Sequence, residues 1–311
     1  MESIRSRVAI SAALTALVIC AAACTSTPPD AARAPASHST GPSARPATTG
    51  AASSPDARAG ALRHPAHIVI VVEENHSFDE LTDAQAAPYL ATLAGRAAVL
   101  TGSFAVTHPS EPNYLALFSG STQGMSDDSC PRSFGGPNLG RALLDASLTF
   151  AGYSEDLPSV GSGACSAGSY ARKHNPWADF TNLPPSVNQP LSALPSDYSQ
   201  LPVVSFVIPN EANDMHSGSV SAGDRWLADH LGGYAAWAAA HDSLLVITCD
   251  EDDHSASNRV LTMLVGAHVR AGTYPERVDH YSLLRLVEDA YGLPRLGQSA
   301  EATPIDGMWT G

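Results

Sequence analysis

The sequence predicts an α/β fold, a three-layer sandwich with helices on both faces of a mainly parallel central sheet. Three observations carry the expectation. The apolar runs His67–Val72, Val203–Ile208 and Leu244–Cys249 have the composition of strands buried on both faces. Segments with helical apolar spacing separate these runs. Each run stops abruptly in acidic or amide side chains, and in open α/β sheets ligands gather at the carboxyl ends of the strands.

The chain has 311 residues and is 44% hydrophobic, enough for one substantial core. Its first segment is expected outside that core. Arg5 and Arg7 precede an apolar run from Val8 to Ala23, too short for a comfortable membrane span and followed by small residues, so residues 1–24 read as a signal peptide. Export is the expected consequence, with the protein secreted or anchored on the outer face of the cell membrane. Ala21-Ala22-Ala23-Cys24 resembles a bacterial lipoprotein cleavage box, which makes Cys24 the lipidation site and the lipid membrane a partner. The box lacks the usual Leu three residues before the Cys, so an ordinary signal-peptidase site is the alternative. Residues 25–64 are Pro, Ala, Ser, Thr and Gly with hardly any large apolar side chain, and read as a disordered linker. One domain, 65–311, remains.

Within it, the first strand runs out into Glu73-Glu74-Asn75-His76-Ser77-Phe78-Asp79. Pro88–Ala98 has helical spacing, and Val99-Leu100 leads on toward His108-Pro109-Ser110-Glu111-Pro112-Asn113-Tyr114. There a hydroxyl precedes a Pro-containing, helix-competent run, so Ser110 is placed at or beside a helix N-terminus, where a serine can meet a phosphate. A simple N-cap is the plainer reading of the same residues. A loop, a helix over Asn138–Ser147 and a second loop follow. Tyr170–Trp177 then sets Arg172 and Lys173 beside His174.

The second strand runs into Pro209–Gly218, which carries His216; a helix capped by Asp224 comes next. The third ends in Asp250-Glu251-Asp252-Asp253-His254. Val260–Val265 reads as a further strand, and Ser282–Tyr291 as a last helix closed by Gly292 and Pro294. Asp252, Asp253 and His254 read as a solvated charge run, Glu73 as solvated or salt-bridged, and His280 as structural.

Two of the five cysteines lie in the leader. Of the others, Cys130 and Cys165 sit in Gly/Ser/Pro-rich loops and can form a disulfide, stabilising by about 3–4 kcal/mol in the loop-entropy model. Cys249 reads as a buried free thiol.

A formal net charge of −14 argues against a nucleic-acid partner. An acidic protein that handles phosphate esters needs local cations, and a bound divalent metal ion is the simplest supply. Glu74, Asn75, Asp250 and Glu251 offer the hard oxygen donors that Mg, Ca or Mn would take.

Glu-Asn-His-Ser-Phe-Asp (Glu74–Asp79), His-Pro-Ser-Glu-Pro-Asn-Tyr (His108–Tyr114), Asn-Asp-Met-His (Asn213–His216), Asp250-Glu251 and His-Tyr-Ser-Leu-Leu-Arg (His280–Arg285) resemble, in this order, the bacterial phosphoesterase family. That family holds secreted acid phosphatases, phosphatidylinositol phosphatases and phospholipases C on the alkaline-phosphatase-like fold. The resemblance implies Ser110 as nucleophile, Glu74, Asn75, Asp250 and Glu251 as metal ligands, and His216 at the phosphate. It assigns substrate binding to His174 and Asn113. The substrate implied is a phosphate ester, hydrolysed through a phosphoserine. A phospholipase C or phosphodiesterase is the runner-up, and a surface lipoprotein with a metal-dependent pocket and no catalysis is the alternative of another class. Sulfatase chemistry is disfavoured, because no Arg follows Ser110-Glu111-Pro112 at the spacing a sulfatase motif needs.

Overall fold

Eight strands make the central sheet of the computed structural model, which describes residues 64–310. The expected leader with Cys24, and the linker up to residue 63, lie outside the described residues. In chain order the strands are β1 (His67–Glu73), β2 (Ala98–Leu100), β3 (Phe150–Ser154), β4 (Asn188–Pro190), β5 (Val204–Ile208), β6 (Ser243–Cys249), β7 (Thr262–Gly266) and β8 (Gly272–Tyr274). Across the sheet they run β8-β2-β7-β6-β1-β5-β3-β4. All neighbours are parallel except β7, which is antiparallel to both β6 and β2.

Six helices accompany the sheet: α1 (Phe78–Leu81), α2 (Pro88–Ala94), α3 (Ser110–Ser119), α4 (Leu139–Asp145), α5 (Val220–Ala238) and α6 (His280–Tyr291). Alternation along β1 divides the core into two layers. Ile68, Ile70 and Val72 pack with Leu115 and Phe118 of α3 and Leu284 and Val287 of α6. Val69 and Val71 face Leu90 and Leu93 of α2 and Leu227 and Leu231 of α5. This is the expected three-layer sandwich. Among the described residues no helix is long and apolar enough to cross a membrane.

Two local expectations are corrected. Ser219, not Asp224, caps α5; Asp224 lies one turn inside it, and its carboxylate accepts from Tyr89 N at 3.0 Å and Leu90 N at 2.9 Å, capping α2 instead. Strand β3 was not expected, because Phe-Ala-Gly-Tyr-Ser carries a glycine at its centre. That glycine has a packing cause: a Cβ on Gly152 would lie 2.1 Å from Trp177 Cε2, so the indole sits directly on the strand backbone. The Cys130–Cys165 disulfide is formed, and Cys249 is a buried free thiol.

Candidate active site

The three central strands β5, β1 and β6 lie side by side, so their carboxyl ends deliver residues far apart in sequence to one place. Glu74 and Asn75 follow β1, Asp250 and Glu251 follow β6, and Asp214 and His216 lie in the loop after β5. Backbone bonds fasten these ends together: Glu74 N donates to Asp214 O at 2.8 Å and Asp250 N to Glu73 O at 3.0 Å. His280, at the start of α6, lies behind them with Nε2 2.6 Å from Asp250 O.

Ser110 is the first residue of α3 and is buried. Its Oγ lies 3.1 Å from Glu74 Oε2 and 3.1 Å from Glu251 Oε1. A hydroxyl has one proton, so two carboxylates compete for it. The other oxygens of the pair are also engaged: Tyr114 OH donates to Glu74 Oε1 at 2.5 Å, and Glu251 Oε2 pairs with His108 Nδ1. Asn113 fixes the loop that leads into α3. Its Oδ1 accepts from Val106 N at 2.9 Å and Thr107 N at 3.1 Å, and its Nδ2 donates to Thr107 O and Pro109 O.

The donor set fits a divalent cation. Asn75 Oδ1, His174 Nε2, Asp214 Oδ2 and Asp250 Oδ2 are buried and have no hydrogen-bond partner. His174 stands between two carboxylates, Nε2 3.0 Å from Glu74 Oε1 and Nδ1 3.1 Å from Asp214 Oδ2, but neither approach has hydrogen-bond alignment. One donor atom from each of Glu74, His174 and Asp214 lies within 4.8 Å of the other two, and the same holds for His108, Glu251 and His254. Buried acceptors left unpaired are costly unless something neutralises them.

The electrostatics agree. Burial, with the charges of Asp250 and Asp214, raises Glu74 well above the usual carboxylate range. Burial and Glu251 do the same to Asp250, and burial pushes Asp214 up to about 8 despite the hydrogen bond from His216 N. Burial and the neighbouring Lys173 charge push His174 down to about 3, leaving it neutral, the form in which imidazole ligates a metal. Without a cation this carboxylate cluster cannot ionise fully.

Against known proteins, residues 82–294 match the model of the Phosphoesterase family. This chain belongs to that family. It is 52% identical to a phosphatidylinositol-3-phosphatase of Mycobacterium tuberculosis, over 81% of this chain and 85% of that protein. It is 30% identical to an acid phosphatase of Aspergillus fumigatus, over 70% of this chain but only 53% of that protein, so it spans about half the fungal enzyme's length. Its fold is similar to that of an alkaline phosphatase superfamily protein from Vibrio parahaemolyticus, with a TM-score of 0.53, 11% identity, and 79% of this chain and 71% of that one covered. The chain is therefore a phosphoric-ester hydrolase on an alkaline-phosphatase-like fold.

Within this phosphoesterase several expected roles move. Of the four oxygen residues, Glu74 and Glu251 lie against Ser110, and Asn75 and Asp250 are joined to each other, Asn75 N donating to Asp250 Oδ1 at 3.2 Å. His174, expected at the substrate, is buried between Glu74 and Asp214, in a group whose donor atoms could hold a metal ion. Asn113 is engaged on all sides by its own loop and has no group left for a substrate. His216 reaches the site edge, but its Nε2 meets Lys173 Nζ at 3.1 Å. Glu73 is neither solvated nor salt-bridged: it is fully buried, unpartnered, and raised by burial and by Asp214. Asp252 is also buried, bonded to Ser255. Asp214 and Tyr114 were missed, although both lie inside motifs that were recognised. Asp214 hid two residues from the more conspicuous His216, and Tyr114 looked like an ordinary core aromatic.

Proposed function

We propose that this chain is an exported, metal-dependent phosphomonoesterase that works through a phosphoserine at Ser110, of the acid phosphatase or phosphatidylinositol-phosphate phosphatase kind. The observation that carries it is Ser110 Oγ, 3.1 Å from both Glu74 and Glu251 at the start of a ten-residue helix, amid buried acceptors that lack partners. The relatives named as phosphatases support the monoester reading.

Glu74, Asn75 and Asp250, with His174 and Asp214 behind them, would hold the cation, which supplies Lewis-acid charge neutralisation and favours the serine alkoxide. The protein's own groups do the rest. Ser110 attacks phosphorus in line as the phosphorus–oxygen bond to the alcohol breaks, and its proton passes through one of the two carboxylates that face it to the departing alkoxide. The N-terminal end of α3, with its partial positive charge, favours the anionic phosphoryl group at this position. Water then attacks phosphorus, giving a proton to the same carboxylate; the phosphorus–Oγ bond breaks, and Ser110 takes up that proton as phosphate leaves.

Export is supported by the leader at residues 1–24 and by the disulfide, which persists in oxidising compartments. On the lipoprotein reading, Cys24 anchors the domain 65–311 through the linker. The deciding assay is p-nitrophenyl phosphate hydrolysis by the metal-loaded protein and by Ser110→Ala. Equal turnover in the two ends the proposal, and turnover confined to bis(p-nitrophenyl) phosphate favours a phosphodiesterase. Cell fractionation of Cys24→Ala tests the anchor: a protein no longer in the membrane fraction is expected.

A further inference from the structure

Of the 17 lysines and arginines in this chain, one alone is a lysine, and it is Lys173. It lies in the turn Arg172–His174, next to His174, which stands between Glu74 and Asp214, with its side chain only 16% exposed. A chain that uses arginine everywhere else has tied its single lysine side chain to Asp128 and His216.

The geometry around it is specific. Lys173 Nζ donates to Asp128 Oδ2 at 3.1 Å and to His216 Nε2 at 3.1 Å. Asp128 uses its other oxygen, Oδ1, to accept from Glu111 N at 2.9 Å, and Glu111 directly follows Ser110. The ammonium is thus tied, through one carboxylate, to the first turn of the nucleophile's helix. An ammonium has three N–H groups, and two are engaged by the protein. The ion pair with Asp128 holds the ammonium in place. Its neighbour Arg172 is not a substitute: that guanidinium is fixed by Asp179 at 2.7 Å and by the carbonyls of Gly163, Arg132 and Ala178.

We propose that Lys173 binds the substrate, its third N–H taking a non-bridging oxygen of the phosphoryl group presented to Ser110, with Asp128 as its positioning residue and His216 as the second contact that sets its rotation. A compact ammonium with rotatable donors suits one oxygen of a tetrahedral group, whereas a guanidinium presents its donors in a fixed planar fork. A phosphate monoester brings two negative charges among four carboxylates, so a fixed cation on the protein favours it over a singly charged diester. The inference rests on the Ser110 reading, and its test separates the two.

Titrate inorganic phosphate calorimetrically into the metal-loaded wild type, Ser110→Ala, Lys173→Gln, Lys173→Arg and Asp128→Asn, with a thermal melt of each. Ser110→Ala is expected to bind phosphate within about threefold of wild type. Lys173→Gln is expected to bind at least about tenfold more weakly, Lys173→Arg to fall short of wild type, and Asp128→Asn to lie between. Wild-type affinity in a folded Lys173→Gln overturns the proposal and leaves Lys173 as the ion-pair partner of Asp128. If Lys173→Gln does not fold, unchanged phosphate affinity in Asp128→Asn overturns it, as does a wild type that binds no phosphate. Retained turnover in Ser110→Ala removes the nucleophile but leaves the phosphate titration to judge Lys173.

Discussion

Tyr114 OH lies 2.5 Å from Glu74 Oε1, while the other oxygen of the same carboxylate, Oε2, faces Ser110 Oγ at 3.1 Å. One residue of α3 therefore orients the acid that another residue of α3 uses. Tyr114→Phe keeps the ring stacked on His174, 5.2 Å away between centroids, and removes only the donor. Partners of this kind typically contribute 10–100-fold to metal affinity or activity. The expected result is a loss of kcat/KM of about that size, with a melting temperature close to wild type, read by steady-state kinetics and calorimetry.

Cation binding should stabilise the fold through Glu74, His174 and Asp214. A ligand at a hundred times its dissociation constant adds about 2.7 kcal/mol to a protein that binds it only when folded. Mn or Mg is expected to raise the melting temperature of the wild type by several degrees and to leave Asp214→Ala and His174→Ala unmoved. Equal shifts in all three would place the cation elsewhere.

Asn113 holds the approach to α3 rather than the substrate, so Asn113→Ala should lower kcat far more than it raises KM. It leaves the Val106 and Thr107 N–H groups without their acceptor, at a cost of about 1–3 kcal/mol. Kinetics and urea unfolding read the two effects separately.

The double variant Cys130→Ser, Cys165→Ser should lose about 4 kcal/mol by denaturant unfolding, the entropic value for a loop of 35 residues.

Glu288 gives a pH dependence remote from the site. Burial pushes its carboxyl from an ordinary 4.5 up to about 7, although Ser299 Oγ at 2.6 Å and Leu296 N at 2.9 Å both favour the anion. The folded value lies above the unfolded one, so the group's contribution is complete below about 4.5 and is lost as pH rises toward 7. Glu288→Gln should remove this component, flattening the fall of unfolding free energy across that window. Parallel slopes for wild type and variant would show that Glu288 titrates normally.

The layers and the site edge were legible because burial on both faces leaves an unbroken β-branched record, and because polar clusters at strand ends stand out against it. What escaped was what depends on contact. Gly152 looks like a breaker until Trp177 is seen lying on it. Asp224 has a cap's chemistry, but the helix it caps is 135 residues away in sequence from it. His174 carries no sign in its neighbours of the two carboxylates it stands between, since these come from the ends of two other strands. Spacing along the chain reports local geometry, and the pocket is made almost wholly of long-range encounters.

The adjacency of β5, β1 and β6 has a consequence for how activity arises during synthesis. β1 is among the first parts of the domain to leave the ribosome, but its neighbour β6 emerges only after some 170 further residues, and Glu251 after that. A nascent chain thus carries Ser110 through the synthesis of 141 further residues before Glu251 exists to face it. The acidic side of the site is complete only once β6, the strand that delivers Asp250 and Glu251, is paired with β1.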